Sequence, residues 1–122
     1  MGARLSGRVR APRKPVLVCF GTRPEAIKMA PVVRSMARSR RLRPVVCLTG
    51  QHREMVQQML DLFELAPDMD LAIMRPNQSL AGLTGRVVEK AAAAIERVEP
   101  AAVLVQGDTT TAFGTALAAF YA

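Results

Sequence analysis

The sequence predicts an α/β fold with a Rossmann-like parallel sheet. Short apolar runs rich in valine alternate with longer stretches whose apolar residues recur at helical spacing. A continuous apolar run is typical of a strand that is covered on both faces, as strands of parallel sheets are. Two runs end in glycine-led turns, FGTRPEAIKMAP from Phe20 to Pro31 and QGDTTTAF from Gln106 to Phe113. Strands that alternate with helices require right-handed crossovers and therefore a layered structure.

The first strand is predicted at Val16–Phe20, and a helix should follow it directly. Thr22 offers an N-cap hydroxyl, Pro24 suits the first helical turn, and Glu25 completes a capping-box pattern. Pro31 interrupts the helical pattern, so we expect it to bend the helix or to separate its first turn from the rest.

The remaining elements continue the same alternation. Their predicted bounds are a strand at Val45–Leu48, a helix from about Arg53 to Glu64, a short strand at Asp70–Met74, a helix from Ser79 to about Val98, a strand at Ala102–Val105, and a helix that Asp108 or Thr109 caps and that is still running at Ala122. Because neither a stop signal nor a strand follows that helix, we expect residues 15–122 to be an incomplete domain.

The net charge of +7 is concentrated at the amino terminus. Five cations within residues 1–14 and no acidic residue predict a disordered basic leader rather than a nucleic-acid site. Aromatic residues make up only 4% of the chain, which argues against a stacking platform for single-stranded nucleic acid. The four phenylalanines are instead expected in the core: Phe20, Phe63, Phe113 and Phe120.

Targeting and metal-binding patterns are not found in the sequence. The leader lacks a signal-peptide apolar core, and no apolar stretch reaches the roughly 18 residues of a membrane span, so we expect a cytoplasmic protein with no membrane partner. Cys19 and Cys47 lie in apolar runs and should be buried thiols. With no CxxC spacing and a single histidine, His52, we expect no metal site.

The turn after the first strand has the residues of an anion site. Gly21 allows a tight turn, and free amides at the start of the next helix form a positive end suited to phosphate. Arg23 adds a planar fork of donors and Lys28 a point charge one turn later. The alternative is a capped helix with two solvated cations, because the common phosphate-loop signatures are absent.

Two other turns should lie at the same edge of the sheet. Asp108 follows the fourth strand and would project into the same crevice as Arg23 and Lys28 if the first and fourth strands are neighbours. It could then serve as acid, base or ribose ligand, and nearby cations favour a base or electrostatic role. The alternative is that Asp108 only caps the last helix. Gln51 and His52 follow the second strand, and a single histidine is more often structural than catalytic.

Four segments together resemble one family. FGTRPEAIKMAP, TGQHREM, PDMDLAIM and VLVQGDTTTAF occur in the order and spacing of the non-hydrolysing UDP-N-acetylglucosamine 2-epimerases, from about Val16 to Ala122. The resemblance implies the N-terminal part of two Rossmann-like domains in a glycosyltransferase-B arrangement, with the nucleotide sugar between them. It also implies a homodimer that uses no redox cofactor and interconverts UDP-N-acetylglucosamine and UDP-N-acetylmannosamine for cell-envelope polysaccharide synthesis.

The resemblance also implies roles for individual residues. Arg23 and Lys28 match substrate-binding cations, and Asp108 matches a carboxylate implicated in catalysis. Gln51 and His52 match a segment that, in some relatives, helps to bind an allosteric substrate molecule. The implied reaction eliminates UDP across C1 and C2 of the sugar and adds it back with the opposite configuration at C2.

The chain departs from the family pattern at two places. Asn77 stands where those relatives often have arginine, which puts regulation by substrate in question. The pattern also continues with a glutamate-bearing segment and a second domain, so we expect the 122 residues alone to be inactive. The alternatives are a hydrolysing relative, a non-catalytic phosphate or nucleotide-sugar binding module, and nucleic-acid binding through the leader and the Arg38–Arg43 cluster.

Overall fold

The computed structural model describes residues 12–122 as alternating strands and helices. All strand pairs are parallel, in the order β3-β2-β1-β4, which confirms the predicted α/β sheet. The elements are β1 (Lys14–Phe20), α1 (Arg23–Ala37), β2 (Leu42–Leu48), α2 (Arg53–Leu62), β3 (Met69–Asp70), α3 (Leu80–Val98), β4 (Ala102–Leu104) and α4 (Thr110–Tyr121).

The side chains of β1 and β2 divide the core into two apolar layers. Val18 and Phe20 pack with α1 and α2 on one face, whereas Leu17 and Cys19 pack with α3 and α4 on the other. This alternation follows from the two-residue period of a strand. Both faces of the sheet are therefore covered, which explains why its strands read as unbroken apolar runs.

The described residues begin just before β1. The first eleven positions of the predicted leader, residues 1–14, lie outside the described residues. Lys14 already pairs with Leu42 in the sheet. The Arg13 guanidinium donates to the carbonyls of Leu42 at 2.9 Å and Ala37 at 3.2 Å, so it binds the carboxyl end of α1, where cations are favourable.

Helix α1 runs through Pro31 instead of dividing there. The proline removes one amide donor, but its side chain and that of Ile27, one turn earlier, are both exposed. The carbonyl that loses its partner is therefore on the solvent side, where water can replace the missing bond.

Strand β3 is shorter than predicted, with two residues only. Ala72 has φ 49°, in the left-handed region, and its amide donates to Asp70 Oδ1 at 2.9 Å, which turns the chain out of the sheet. Ile73 is nevertheless fully buried, and its amide donates to the carbonyl of Thr49 at 2.9 Å. The prediction of a strand was thus wrong for residues 71–74; Ile73 is buried, whereas Met74 is 47% exposed.

Helix α4 presents its large residues to solvent, so the core prediction was wrong for Phe113, which is 60% exposed, and Phe120, which is 83% exposed. The inward face of α4 consists of small residues that allow a close approach to α3. A Cβ on Gly114 would lie 2.6 Å from Cγ1 of Val87. Bulky aromatic rings do not fit in this interface.

Cys19 and Cys47 are directly paired in the β1–β2 register, and both are free and buried, as predicted. The pKa of the Cys47 thiol is raised because it donates a hydrogen bond to Cys19 and is buried. Thr115 Oγ1 also donates to Cys19 Sγ at 3.5 Å. These two thiols belong to the packed core, consistent with the behaviour of cysteine as a small apolar residue.

We expect neither cysteine of the folded protein to react with an aromatic disulfide reagent over minutes, and both to react once guanidinium unfolds it. Burial shields both sulfur atoms from the reagent, and the raised pKa of Cys47 also disfavours its reactive thiolate. A Ser35→Cys variant is the positive control, because Ser35 is exposed on α1 and should be labelled at once. Rapid labelling of a native cysteine would contradict this arrangement.

Candidate functional site

Three loops meet at the carboxyl edge of the sheet, where open α/β sheets bind ligands. We call them the β1 turn (residues 21–22), the β2 turn (residues 49–52) and the β4 turn (residues 105–109). Because β2, β1 and β4 are neighbouring parallel strands, their turns are adjacent. Backbone bonds join the first two turns, since the amide of His52 donates to the carbonyl of Gly21 at 2.9 Å.

The carboxylate of Glu25 links the β1 turn to the β4 turn. Its Oε1 accepts from the amides of Gly21 at 2.9 Å and Thr22 at 3.2 Å. Its Oε2 accepts from the hydroxyl of Thr109, at the end of the β4 turn. Glu25 is only 2% exposed, so these bonds are shielded from solvent.

A second buried contact joins the β2 turn to the first turn of α4. Thr111 Oγ1 donates to Gln51 Oε1 at 3.1 Å and lies 3.1 Å from Thr49 Oγ1. A hydroxyl has one proton, so Thr49 must be the donor in the bond between the two threonines. The side-chain carbonyl of Gln51 is therefore used within the protein, and its amide nitrogen is the group left for a ligand.

Gly21 is needed for space rather than for an unusual backbone conformation. A Cβ at this position would lie 1.8 Å from Thr49 Oγ1. The sequence predicts a glycine at this position for the sake of a tight turn, whereas in the structure the reason is that a Cβ would collide with Thr49. Left-handed backbone occurs instead in the other two turns, with φ of 87° at Gly50 and 88° at Gly107.

Arg23, the first residue of α1, and Lys28, one turn further along the helix, are both exposed. The free amides predicted at the β1 turn are fewer than expected, because Glu25 takes those of Gly21 and Thr22, and Pro24 has none. The guanidinium and ammonium groups are thus the principal donors that this turn can offer to an anion.

Asp108 is exposed in the β4 turn, and it does not cap α4. Thr109 is the N-cap, and its hydroxyl accepts from the amide of Ala112 at 3.2 Å. The capping alternative for Asp108 is therefore wrong, and its carboxylate is available for other contacts. Sheet order brings Asp108 and Arg23 onto neighbouring turns, as the sequence predicted.

The β2 turn carries the two residues of the allosteric prediction. Gln51 is half-buried and bonded to Thr111, whereas the His52 side chain is exposed. Next to them, Arg53 forms an ion pair with Asp70 at 3.2 Å. Asn77 is also exposed, with φ 56°. Nothing in these contacts tests allosteric binding, which stays a prediction.

Sequence reasoning missed the polar network that holds the three turns together. It identified Glu25 only as part of a capping box and predicted no contact for Thr49 or Thr111. Residues 60 to 84 positions apart supply its contacts. In the sequence, the one local signal that could have pointed to it is an acidic residue four positions after a glycine turn.

The site is an open edge rather than an enclosed pocket. The space lined by Gly21, Gly50, Arg53 and Asp70 has no cavity large enough to admit a water molecule. Pockets for drug-sized ligands usually measure about 300–1,000 Å³. A nucleotide sugar on these turns would therefore need a facing wall. Among residues 12–122, we find no cluster of three metal-ligating side chains and no helix long and apolar enough to cross a membrane.

Known proteins are similar to this chain in both sequence and fold. Residues 34–122 match the family profile described as UDP-N-acetylglucosamine 2-epimerase. The curated UDP-N-acetylglucosamine 2-epimerases of Neisseria meningitidis and Escherichia coli are each 52% identical over 106 residues. Those 106 residues are 87% of this chain and 28% of each relative, so the chain spans just over a quarter of their length.

Two solved structures agree with this match. The N. meningitidis UDP-GlcNAc 2-epimerase bound to UDP-GlcNAc has a TM-score of 0.82 and 51% identity, over 88% of this chain and 29% of that one. The Methanocaldococcus jannaschii UDP-GlcNAc 2-epimerase in complex with UDP-GlcNAc and UDP has a TM-score of 0.78 and 28% identity, over 86% of this chain and 29% of that one. The profile covers most of the described residues, and this chain belongs to the UDP-N-acetylglucosamine 2-epimerase family.

Proposed function

We propose that this chain supplies one wall of the active site of a non-hydrolysing epimerase that interconverts UDP-N-acetylglucosamine and UDP-N-acetylmannosamine. The observation that carries the proposal is the bond between Glu25 and Thr109. This bond holds the β1 turn, which Arg23 follows, beside the β4 turn, which contains Asp108. A cationic group and a carboxylate on adjacent turns suit a reaction that releases a diphosphate and removes a proton.

In the proposed reaction, a base removes the proton from C2 of the sugar while the bond between C1 and the diphosphate oxygen breaks. The C2–H electron pair becomes the C1–C2 double bond of a 2-acetamidoglucal, and UDP leaves with the electron pair of the broken bond. Return of the proton to the opposite face of C2 and of UDP to C1 completes the epimerisation. Asp108 is the proposed base or electrostatic group, and Arg23 and Lys28 stabilise the departing diphosphate.

The open site supports a two-domain arrangement of the glycosyltransferase-B type, in which a facing domain would close over the nucleotide sugar. We also propose, from the family resemblance, a cytoplasmic homodimer whose product serves cell-envelope polysaccharide synthesis. Gln51 and His52 remain candidates for an allosteric substrate site.

Incubation of UDP-N-acetylglucosamine in D₂O with the intact enzyme, in which a facing domain completes the site, tests the proposal, with proton NMR of the C2 position as the readout; we propose that the 122 residues alone are inactive. We expect deuterium at C2 and the appearance of UDP-N-acetylmannosamine. Free N-acetylmannosamine with UDP would identify a hydrolysing relative instead. UDP binding without exchange would identify a non-catalytic binding module.

Arg23→Ala is expected to weaken UDP binding by about tenfold or more, because a hydrogen bond to a charged group contributes about 1.5–3 kcal/mol. Calorimetric titration measures the effect, which should decrease at high salt. Arg34→Ala is the matched control, since Arg34 is an exposed arginine in the last turn of the same helix. Equal losses in both variants would show a general effect of charge and contradict a site at Arg23.

A further inference from the structure

Glu25 makes more contacts than helix capping requires. In a capping box the amide of the N-cap residue, here Thr22, donates one bond to the side chain at the third helical position. The same oxygen also accepts from Gly21, and the second oxygen accepts from Thr109, 84 positions along the chain. One oxygen thus serves the β1 turn and the other serves the β4 turn.

Thr109 in turn uses both hydrogen-bonding functions of its hydroxyl. It donates its proton to Glu25 and accepts from the amide of Ala112 at 3.2 Å. Asp108 lies between this anchored residue and Gly107, whose φ of 88° gives the turn its shape. The side chain of Asp108 is exposed, so the contacts of its neighbour Thr109 fix the position of Asp108 relative to the β1 turn.

We propose that Glu25 is a positioning residue for the epimerase reaction: through Thr109 it holds the carboxylate of Asp108 at a fixed place beside Arg23. This inference rests on the proposed function. Glu25 is buried and acts without touching the substrate. Its carboxylate has two acceptor oxygens and so can join the two turns with one side chain.

The proposal predicts a change in turnover rather than in binding. Arg23 and Lys28 belong to α1, and loss of the Thr109 hydroxyl leaves the bonds of Glu25 to Gly21 and Thr22 in place. The β4 turn alone is released. A displacement of about 1 Å at a reacting group can lower a rate by about a hundredfold.

The test uses Thr109→Val in the protein as the cell produces it, because valine keeps the shape of threonine without the hydroxyl. Ser79→Ala is the matched control, since Ser79 caps α3 by accepting from the amide of Gly82 at 3.0 Å and its loss removes a cap away from these turns. Thr109→Ser keeps the hydroxyl and tests rescue. We expect Thr109→Val to lower kcat for C2 exchange by about tenfold or more, with KM within about twofold, and the other two variants to resemble wild type.

Amide hydrogen exchange over residues 107–111 supplies a readout that does not depend on activity. We expect it to accelerate by about tenfold in Thr109→Val and to be unchanged in Ser79→Ala. A wild type without C2 exchange would overturn the proposed function, whereas unchanged amide exchange in Thr109→Val would overturn the bridge by itself. Unchanged kcat in an active protein, or an equal loss in Ser79→Ala, would overturn the positioning role.

Discussion

Asp108→Asn is expected to lower the rate of C2 proton exchange by about 10²–10⁴-fold, the range that a positioned base contributes. Asparagine has nearly the shape of aspartate but cannot accept the proton from carbon. Because Thr109 rather than Asp108 caps α4, the free energy of unfolding should change by less than about 0.5 kcal/mol. Proton NMR in D₂O measures the rate, and thermal unfolding measures the stability.

The matched control for this variant is Asp61→Asn. Asp61 is an exposed carboxylate near the end of α2, where it accepts from Gln57 at 2.8 Å. The Asp61→Asn variant should exchange the C2 proton at the wild-type rate. If Asp108→Asn retained more than about half of the wild-type rate, general-base catalysis by this residue would be excluded, since even a weak general base contributes about a hundredfold.

Gly21→Ala is expected to destabilise the protein by about 3 kcal/mol or more, at the upper end of the range for overpacking. The new Cβ would lie 1.8 Å from Thr49 Oγ1 and 3.1 Å from Thr111 Oγ1. These side chains are fully buried and hold the β2 turn to α4, so they cannot simply rotate outward. Denaturant unfolding followed by circular dichroism measures the loss.

A second substitution separates this clash from a general effect of alanine. Adding Thr49→Ala removes the oxygen at 1.8 Å and should restore part of the stability, although Thr49 Cβ remains 3.2 Å away. Gly85→Ala is the opposite control: Gly85 is exposed in α3 with nothing within 4 Å, so alanine should stabilise the helix by about 0.5–1 kcal/mol. A harmless Gly21→Ala would show that Thr49 lies elsewhere in solution.

Local patterns predicted the parts of the fold that short-range physics determines. The apolar run at Val16–Phe20 predicted a covered strand, and the Thr22–Glu25 capping pattern placed the start of α1 correctly. Residue order alone also predicted that Arg23 and Asp108 belong to the same edge, because parallel strands end on one side. These inferences need only the period of a strand and the chemistry of a helix start.

The remaining errors arise from contacts between distant parts of the chain. Phe113 and Phe120 were expected inside because they are aromatic, but the face of α4 against α3 accepts only small residues. The local pattern identifies Glu25 only as a cap because its partner Thr109 is 84 positions away. No window of neighbouring residues contains that information.

The order in which the chain is synthesised determines when the bond between Glu25 and Thr109 can form. At roughly 5–20 residues per second, the 84 residues between them take roughly 4–17 s to translate. During that interval β1 can pair with β2, about 28 positions downstream, but not with β4. The nascent chain therefore carries an ionisable side chain at the edge of a forming core before Thr109 has been synthesised. The carboxyl edge of the sheet is complete only when α4 emerges.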